Sequence, residues 1–267
     1  MTMLALISTM VFGQAEAKTY SFGIVPQFEA RKLAQIWAPI IQEIEARTGH
    51  KFEIVGSPKI PDFEQAFGDR LYDFAYMNPY HATLAAKAQG YRPLVRDGAR
   101  QLFGVLVVHK DSPYASPKDL ADQTIAFPAP NALGASLMIR ADLINQHHIG
   151  FRSKYVATHS SAYLNVVLGQ AAAAGGVMGT LRAQPENIFN DLRILHQTEK
   201  VAPHPIVAHP RVPIRIQEEV KRALLDLWQT KQGRQLLLQI PMREVIEATP
   251  NDYKRIEQLG LDVFVED

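Results

Sequence analysis

Short apolar runs alternate with longer amphipathic segments along most of the chain. Residues 20–25 form an apolar run that ends at Pro26, which predicts a buried strand. From Glu29 to Arg47 the apolar residues recur every three or four positions and Gly49 follows, a pattern typical of an amphipathic helix that ends at a glycine. The same order of strand, turn and helix recurs down the chain. This alternation favours an α/β fold with mostly parallel sheets.

The other strands and helices are predicted from the same apolar runs and three-to-four-residue spacings, and from the residues that typically begin a helix. Asn78-Pro79 and Ser116-Pro117 each place a capping side chain before a proline, which is typical of a helix start. Predicted strands cover 52–55, 74–77, 103–109, 124–127, 155–157, 171–177, 193–196, 206–208 and, at an edge, 263–265. Predicted helices cover 63–67, 79–90, 134–146, 213–231 and 232–240, with another capped by Ser160 or Ser161 and a last one starting at Thr249.

The chain has 267 residues and no flexible linker, so it suits two lobes joined by strands that cross between them. Two extended segments, 103–109 and 201–213, are the predicted crossings. We therefore expect residues 18–104 to begin lobe 1, residues 105–204 to form lobe 2, and residues 205–267 to return to lobe 1.

Charge and cysteine content narrow the function classes. The chain has 28 Lys and Arg against 27 Asp and Glu, a net charge of +1, so we expect no nucleic-acid partner. It contains no cysteine, which excludes disulfides, thiolate zinc sites, iron–sulfur clusters and cysteine nucleophiles. A lipid anchor on an N-terminal cysteine is excluded for the same reason.

The N-terminus has the pattern of an export signal. Residues 3–12 are an apolar run too short to span a bilayer, and Ala15-Glu16-Ala17 supplies a cleavage pattern of small residues. We predict a signal peptide at residues 1–17 and a mature chain that starts at Lys18. An exported protein without a lipid anchor is expected in the periplasm.

Polar side chains follow the predicted strand ends at Val25, Met77, Phe127 and Ala157. In open α/β sheets, ligands bind beyond the carboxyl ends of the strands, where helix N-termini present free N–H groups to anions. These turns therefore predict a cleft for a small oxyanion, although each side chain could instead cap its own helix. The candidate contacts are Gln27, Asn78, Tyr80, Asn131, Ser136, His159, Ser160 and Ser161.

Motifs for catalysis or metal binding do not stand out. His147 and His148 are adjacent and point to different faces of a helix, and no HExxH, GxSxG, Walker or GxGxxG pattern occurs. We expect no catalytic residue, no metal and no cofactor. A hydrolase with His159 as base is the least favoured alternative.

Several short motifs in a fixed order resemble one family. They are Phe22-Gly23-Ile24-Val25-Pro26-Gln27, then Tyr72 to Pro79, Ala126 to Asn131, Thr158-His159-Ser160 and the segment 203–213. Together they resemble the phosphate, phosphite and phosphonate-type solute-binding proteins of ABC transporters over nearly the whole mature chain. The resemblance implies a type II periplasmic binding protein fold, in which each of two lobes has a mixed, mostly parallel sheet flanked by helices.

The family also implies a function and a site. A protein of this kind closes on a small anion and delivers it, as a monomer, to a transporter permease; a sensory protein docking on a membrane histidine kinase is the alternative. Phosphonate binders usually have a Ser-Thr-Ser run where this chain has Ala132, Leu133 and Gly134. Family contacts carry over to Asn131 and His159, and the aromatic contacts that the resemblance implies in the first lobe fall near Ile60 and Met77.

Overall fold

The computed structural model describes residues 18–240 and 242–266. It contains eleven strands in those ranges, and they form two sheets. The strands are β1 Thr19–Ile24, β2 Lys51–Val55, β3 Phe74–Tyr76, β4 Arg92–Asp97, β5 Gly104–His109, β6 Thr124–Phe127, β7 Arg152–Tyr155, β8 Ala173–Val177, β9 Leu192–Gln197, β10 Ile206–Ala208 and β11 Val245–Glu247.

The helices flank both sheets. They are α1 Ala30–Thr48, α2 Ile60–Gly68, α3 Pro79–Gln89, α4 Met138–Asn145, α5 His159–Val167, α6 Met178–Arg182, α7 Glu186–Phe189, α8 Ile214–Gln229, α9 Lys231–Leu237 and α10 Lys254–Gln258. Short 3-10 helices cover Pro117–Leu120, Pro250–Tyr253 and Leu261–Phe264. A π-helical turn, Leu133–Leu137, leads directly into α4.

Each lobe is built on one mixed sheet. The first has the order β11-β4-β10-β3-β1-β2, with parallel pairs around β1 and antiparallel pairs around β10. The second has the order β7-β6-β8-β5-β9, with β6 parallel to both neighbours and β5 antiparallel to both. The prediction of a two-lobed α/β fold is confirmed.

The chain crosses between the lobes twice, between β4 and β5 and between β9 and β10. The two crossings pair with each other: Leu102 N–H donates to the Val201 carbonyl oxygen and Val201 N–H donates back, each at 2.8 Å. Next to this bridge, Gly104 N–H donates to Thr198 Oγ1 at 2.8 Å. The crossings therefore form a short two-stranded hinge.

Helix α1 follows the predicted period. Trp37, Ile40, Ile41 and Ile44 are its buried residues, and Gly49 closes it in the left-handed region at a φ of 72°. Trp37 packs against Phe22 of β1, with 5.4 Å between the ring centroids. This packing holds the start of α1 beside the end of β1, where ligand contacts were predicted.

Local predictions failed in a few places. Strands β4 and β11 were not predicted, and the predicted edge strand at 263–265 is wrong because Leu261–Phe264 forms a 3-10 helix. The cap of α5 is Thr158, whose side chain accepts from Ser161 N–H, and not Ser160 or Ser161. The predicted signal peptide lies outside the described residues.

The C-terminal segment, residues 250–266, contacts both lobes. Its residues Ile256 and Leu261 share an apolar cluster with Tyr80 of α3 and Leu133 of the second lobe. Its last described residue, Glu266, forms an ion pair with the buried Arg140 of α4. The predicted return segment 205–267 therefore reaches beyond the first lobe. In the described ranges, no helix is long and apolar enough to cross a membrane.

Candidate ligand-binding cleft

A cavity of about 740 Å³ lies between the lobes, beside the hinge. The first lobe contributes the end of β1, the start of α1 and the loop after α9. The second lobe contributes the turn from β8 into α6, and both crossings line the side between them. The cavity therefore occupies the place where a two-lobed protein closes on a ligand.

The floor of the cavity on the first lobe is a stack of Tyr76 and His204, with ring centroids 5.3 Å apart. Gln27 Nε2 lies 3.1 Å from Nε2 of the His204 ring. Burial, with the nearby His81 and His159 as smaller causes, lowers the pKa of His204 to about 3. His204 is therefore neutral at pH 7 and presents one donor and one acceptor nitrogen.

The wall from the second lobe is formed by Val177, the last residue of β8, and by the start of α6. Thr180 lines the cavity, and its Oγ1 lies 3.1 Å from Nδ1 of His159 and 2.9 Å from the hydroxyl of Tyr163. Burial lowers the pKa of His159 to about 4, so this ring is also neutral. His159 supports the wall through Thr180 and does not itself line the cavity.

A second polar network connects the lobes below the π-helical turn. Asn78 caps α3 by accepting from His81 N–H at 2.8 Å, as its sequence position predicted. His81 Nε2 lies 2.9 Å from Glu64 Oε1, and Asn131 Nδ2 donates to Glu64 Oε2 at 3.2 Å. Among the described residues, no Lys or Arg pairs with Glu64, so Glu64 places a carboxylate where the sequence predicted an anion site.

Asn131 is also held by the C-terminal segment. Its Nδ2 donates to the carbonyl oxygen of Glu266 at 3.0 Å, and its Oδ1 accepts from Glu266 N–H at 3.2 Å. Tyr80 is held in the same way, because its hydroxyl donates to Asp262 at 2.9 Å. The polar side-chain groups of Asn131 and Tyr80 are therefore hydrogen-bonded within the protein.

The turn at 132–134 is packed. Ala132 contacts the core of the first lobe, and Leu133 lies in the cluster with Tyr80. A side chain on Gly134 would meet Val177 at 2.8 Å, so the glycine permits a close approach between the turn and β8. Ser136, the first hydroxyl after the turn, donates to the carbonyl oxygen of Ala129.

The predicted contacts therefore fall into separate groups. Gln27 lines the cavity, and His159 lies one hydrogen bond behind its wall. Met77 is buried in the first core and Ser160 is exposed. The structure does not bring these residues together into one pocket. Sequence reasoning missed Tyr76, Thr180 and His204; of these, only His204 carried a signal, as a histidine between two prolines in a predicted crossing.

The rim of the cavity is basic, and of the described residues that line the cavity only Asp97 is acidic. Asp97 is buried, and its Oδ1 accepts from the N–H groups of Ala99 and Glu244, each at 3.0 Å. The rim cations come from both lobes and both crossings: Lys32, Arg100, Arg182, Lys200 and Arg243. The cavity thus combines a neutral polar floor with a positive entrance.

Comparisons with known proteins agree with this architecture. A family model described as "ABC transporter, phosphonate, periplasmic substrate-binding protein" matches residues 22–253. The phosphonates-binding periplasmic protein of Escherichia coli is 21% identical over 272 aligned positions, covering 97% of this chain and 80% of that protein.

Solved structures show the same fold. The binding protein component of a phosphonate ABC transporter from Pseudomonas aeruginosa superposes with a TM-score of 0.83 at 16% identity, covering 91% of this chain and 86% of its own. PhnD1 from Prochlorococcus marinus, solved in complex with methylphosphonate, also gives a TM-score of 0.83 at 16% identity, covering 93% and 99%. The predicted type II periplasmic binding protein fold is confirmed.

Proposed function

The chain belongs to the family of periplasmic substrate-binding proteins of phosphonate ABC transporters, and we propose that it captures a phosphonate or a related oxyanion between its lobes and delivers it to such a transporter. The single observation that carries the proposal is the cavity beside the hinge, with its positive entrance and neutral floor. An anion is drawn in by the rim cations and meets uncharged hydrogen-bonding groups inside.

The floor suits an oxyanion because its polar groups can donate without carrying charge. Gln27 offers an amide N–H, and neutral His204 offers one ring N–H. The opposite lobe adds Arg182 to the lining, whereas the Thr180 hydroxyl is bonded within that lobe to Tyr163, His159 and the Val177 carbonyl. A ligand that contacts both lobes binds the closed state better than the open one, so a ligand held by Gln27 and Arg182 together shifts the protein toward closure.

The surroundings of His159, the base of the hydrolase alternative, also fit a binding function. His159 is buried and its Nδ1 lies against Thr180 Oγ1. We propose that the protein is not an enzyme, and that it acts as a periplasmic monomer without a cofactor. Its membrane partner is a transporter permease. The alternative partner is a membrane sensor kinase, and an uptake assay distinguishes the two. If the partner is a permease, deleting the gene should abolish uptake of the ligand.

The binding proposal is tested by thermal shift on the mature protein with methylphosphonate, phosphite, phosphate, arsenate and sulfate. A ligand at a hundred times its dissociation constant adds about 2.7 kcal/mol to the free energy of unfolding. Gln27→Ala and His204→Ala should reduce the shift. The matched control is Gln232→Ala, which removes an exposed glutamine of α9 outside the cavity.

Asn131→Ala distinguishes the cavity from the site predicted by family resemblance. With the ligand in the cavity, this variant lowers stability through Glu64 and Glu266 but keeps the ligand-induced shift. A flat response of the wild-type protein to every anion would contradict the proposed function. If Gln27→Ala and His204→Ala keep the normal ligand-induced thermal shift and Asn131→Ala loses it, the ligand binds at the network of Asn131 and Glu64 instead.

A further inference from the structure

Five basic side chains stand around the cavity, and within the described ranges none of them forms an ion pair with an acidic residue. Asp97, the only acid of the lining, is already held by two backbone N–H groups. The lining therefore carries five positive charges against one negative charge. A single small dianion leaves most of this positive charge without a partner.

The cavity is also much larger than methylphosphonate. That ligand has five non-hydrogen atoms, and if each fills as much space as one water molecule, about 30 Å³, the whole ligand fills on the order of 150 Å³. The cavity measures about 740 Å³. This volume falls in the range that proteins use for ligands of drug or cofactor size, roughly 300–1,000 Å³.

Aromatic surface lies beside the cations. The ammonium group of Lys32 lies 4.0 Å from the ring centroid of Phe28, and that of Lys200 lies 5.8 Å from the ring centroid of Phe103. Both rings line the cavity, and both are partly exposed. A ligand ring can stack on either one while its anionic groups reach the neighbouring ammonium.

Charge, volume and aromatic surface point to one ligand class. Resting on the proposed function, we propose that this cavity binds an organic phosphate or phosphonate that has two or more negative charges and a ring, the size class of a nucleotide. The anionic groups lie at the basic rim between the lobes, and the ring lies against the aromatic wall. Methylphosphonate fills only a fraction of the same site.

Isothermal titration of the mature protein with ADP, AMP, ribose 5-phosphate, methylphosphonate and adenosine tests the ligand class. Affinity should rise with charge and with the ring, so that ADP binds tightest, methylphosphonate binds at least tenfold more weakly, and uncharged adenosine gives no measurable heat. Binding of ADP should also weaken steeply as salt is raised, because the rim cations are exposed to screening.

The double variant Arg182→Ala/Arg243→Ala removes one exposed cation from each lobe. Its affinity for ADP should fall on the order of tenfold, since each exposed charge pair contributes a factor of only a few to binding. The control is Arg222→Ala on α8, which removes an exposed arginine outside the cavity and should leave the affinity unchanged.

Two results would overturn the inference while leaving the proposed function in place: methylphosphonate binding as tightly as ADP, or an unchanged ADP affinity in the double variant. Absence of binding by every anion would overturn both. Tight binding of ADP with weak binding of methylphosphonate supports the inference.

Discussion

The two neutral histidines of the cleft predict a specific pH dependence of stability. Burial holds the pKa of His204 at about 3 and that of His159 at about 4, against an ordinary value of 6.5. In the unfolded chain both rings take up a proton as pH falls through 6.5, whereas the folded protein resists it. The unfolded state therefore binds more protons below pH 6.5, and stability must fall as pH falls.

The size of the effect follows from the shift. Each pH unit below 6.5 and above the folded pKa costs about 1.4 kcal/mol per histidine. At pH 5, roughly 1.5 units below the unfolded value, the loss is about 2 kcal/mol for each ring and about 4 kcal/mol for both. A loss of that size is a large part of the total stability of a protein, which is typically 5–15 kcal/mol.

Urea unfolding at pH 7, 6 and 5 measures this slope, with His159→Gln/His204→Gln as the comparison. Burial also lowers the pKa of His147 and of His209, but those residues are present in both proteins and cancel in the difference. We expect the double variant to be less stable at pH 7 and to lose about 4 kcal/mol less than the wild type by pH 5. Parallel pH profiles would refute the assignment of neutral buried rings.

Four further substitutions test the packing around the cleft, each by urea unfolding. Gly104→Ala should cost about 1–3 kcal/mol, because its Cβ would lie 2.1 Å from a backbone oxygen of the π-helical turn; Gly150→Ala, which has nothing within 4 Å, is the control, and equal stability of the two would contradict the close approach. Glu266→Gln should cost about 3 kcal/mol, because it leaves the buried guanidinium of Arg140 without its counter-ion. Arg140→Met should cost less, because the charge it leaves unpaired is the half-exposed carboxylate of Glu266; the reverse order would contradict this reasoning. Thr180→Val should cost about 1–3 kcal/mol, since it removes the hydroxyl that holds His159, Tyr163 and the Val177 carbonyl together. It should also weaken ligand binding, because these contacts support the second-lobe wall of the cavity; unchanged affinity would place the ligand away from this wall.

Sequence reasoning recovered the scaffold where the signal was local. The three-and-four spacing of α1 set its buried face, and Asn78-Pro79 marked the start of α3. Strand β4 was missed because Arg92, Pro93 and Arg96 interrupt its apolar pattern. It lies between β11 and β10, so its neighbours and not its own sequence determine its conformation.

The site was harder to predict because its parts are distant in sequence. The rim cations run from Lys32 to Arg243, so they never form a charge cluster along the chain. Tyr80 and Asp262 are 182 positions apart, and neither residue type signals that the C-terminal segment will occupy a predicted ligand contact. Asn131 and His159 were predicted as ligand contacts because each follows a strand end. The residues that they contact depend on how distant parts of the chain pack together, which the local sequence does not show.

The apolar segment around the 132–134 turn, where phosphonate binders usually have a Ser-Thr-Ser run, has an energetic consequence for contact between the lobes. Ala129, Ala132 and Ala135 of the second lobe are buried in the apolar cluster of the first lobe. At about 0.8 kcal/mol for each buried methyl group, they favour contact between the lobes by roughly 2 kcal/mol in total, which is more than a tenfold bias. Of these three, only Ala132 lies in the 132–134 turn, where a serine would bury a hydroxyl that needs a hydrogen-bond partner. The alanines need none, so part of the free energy of contact between the lobes is independent of a ligand.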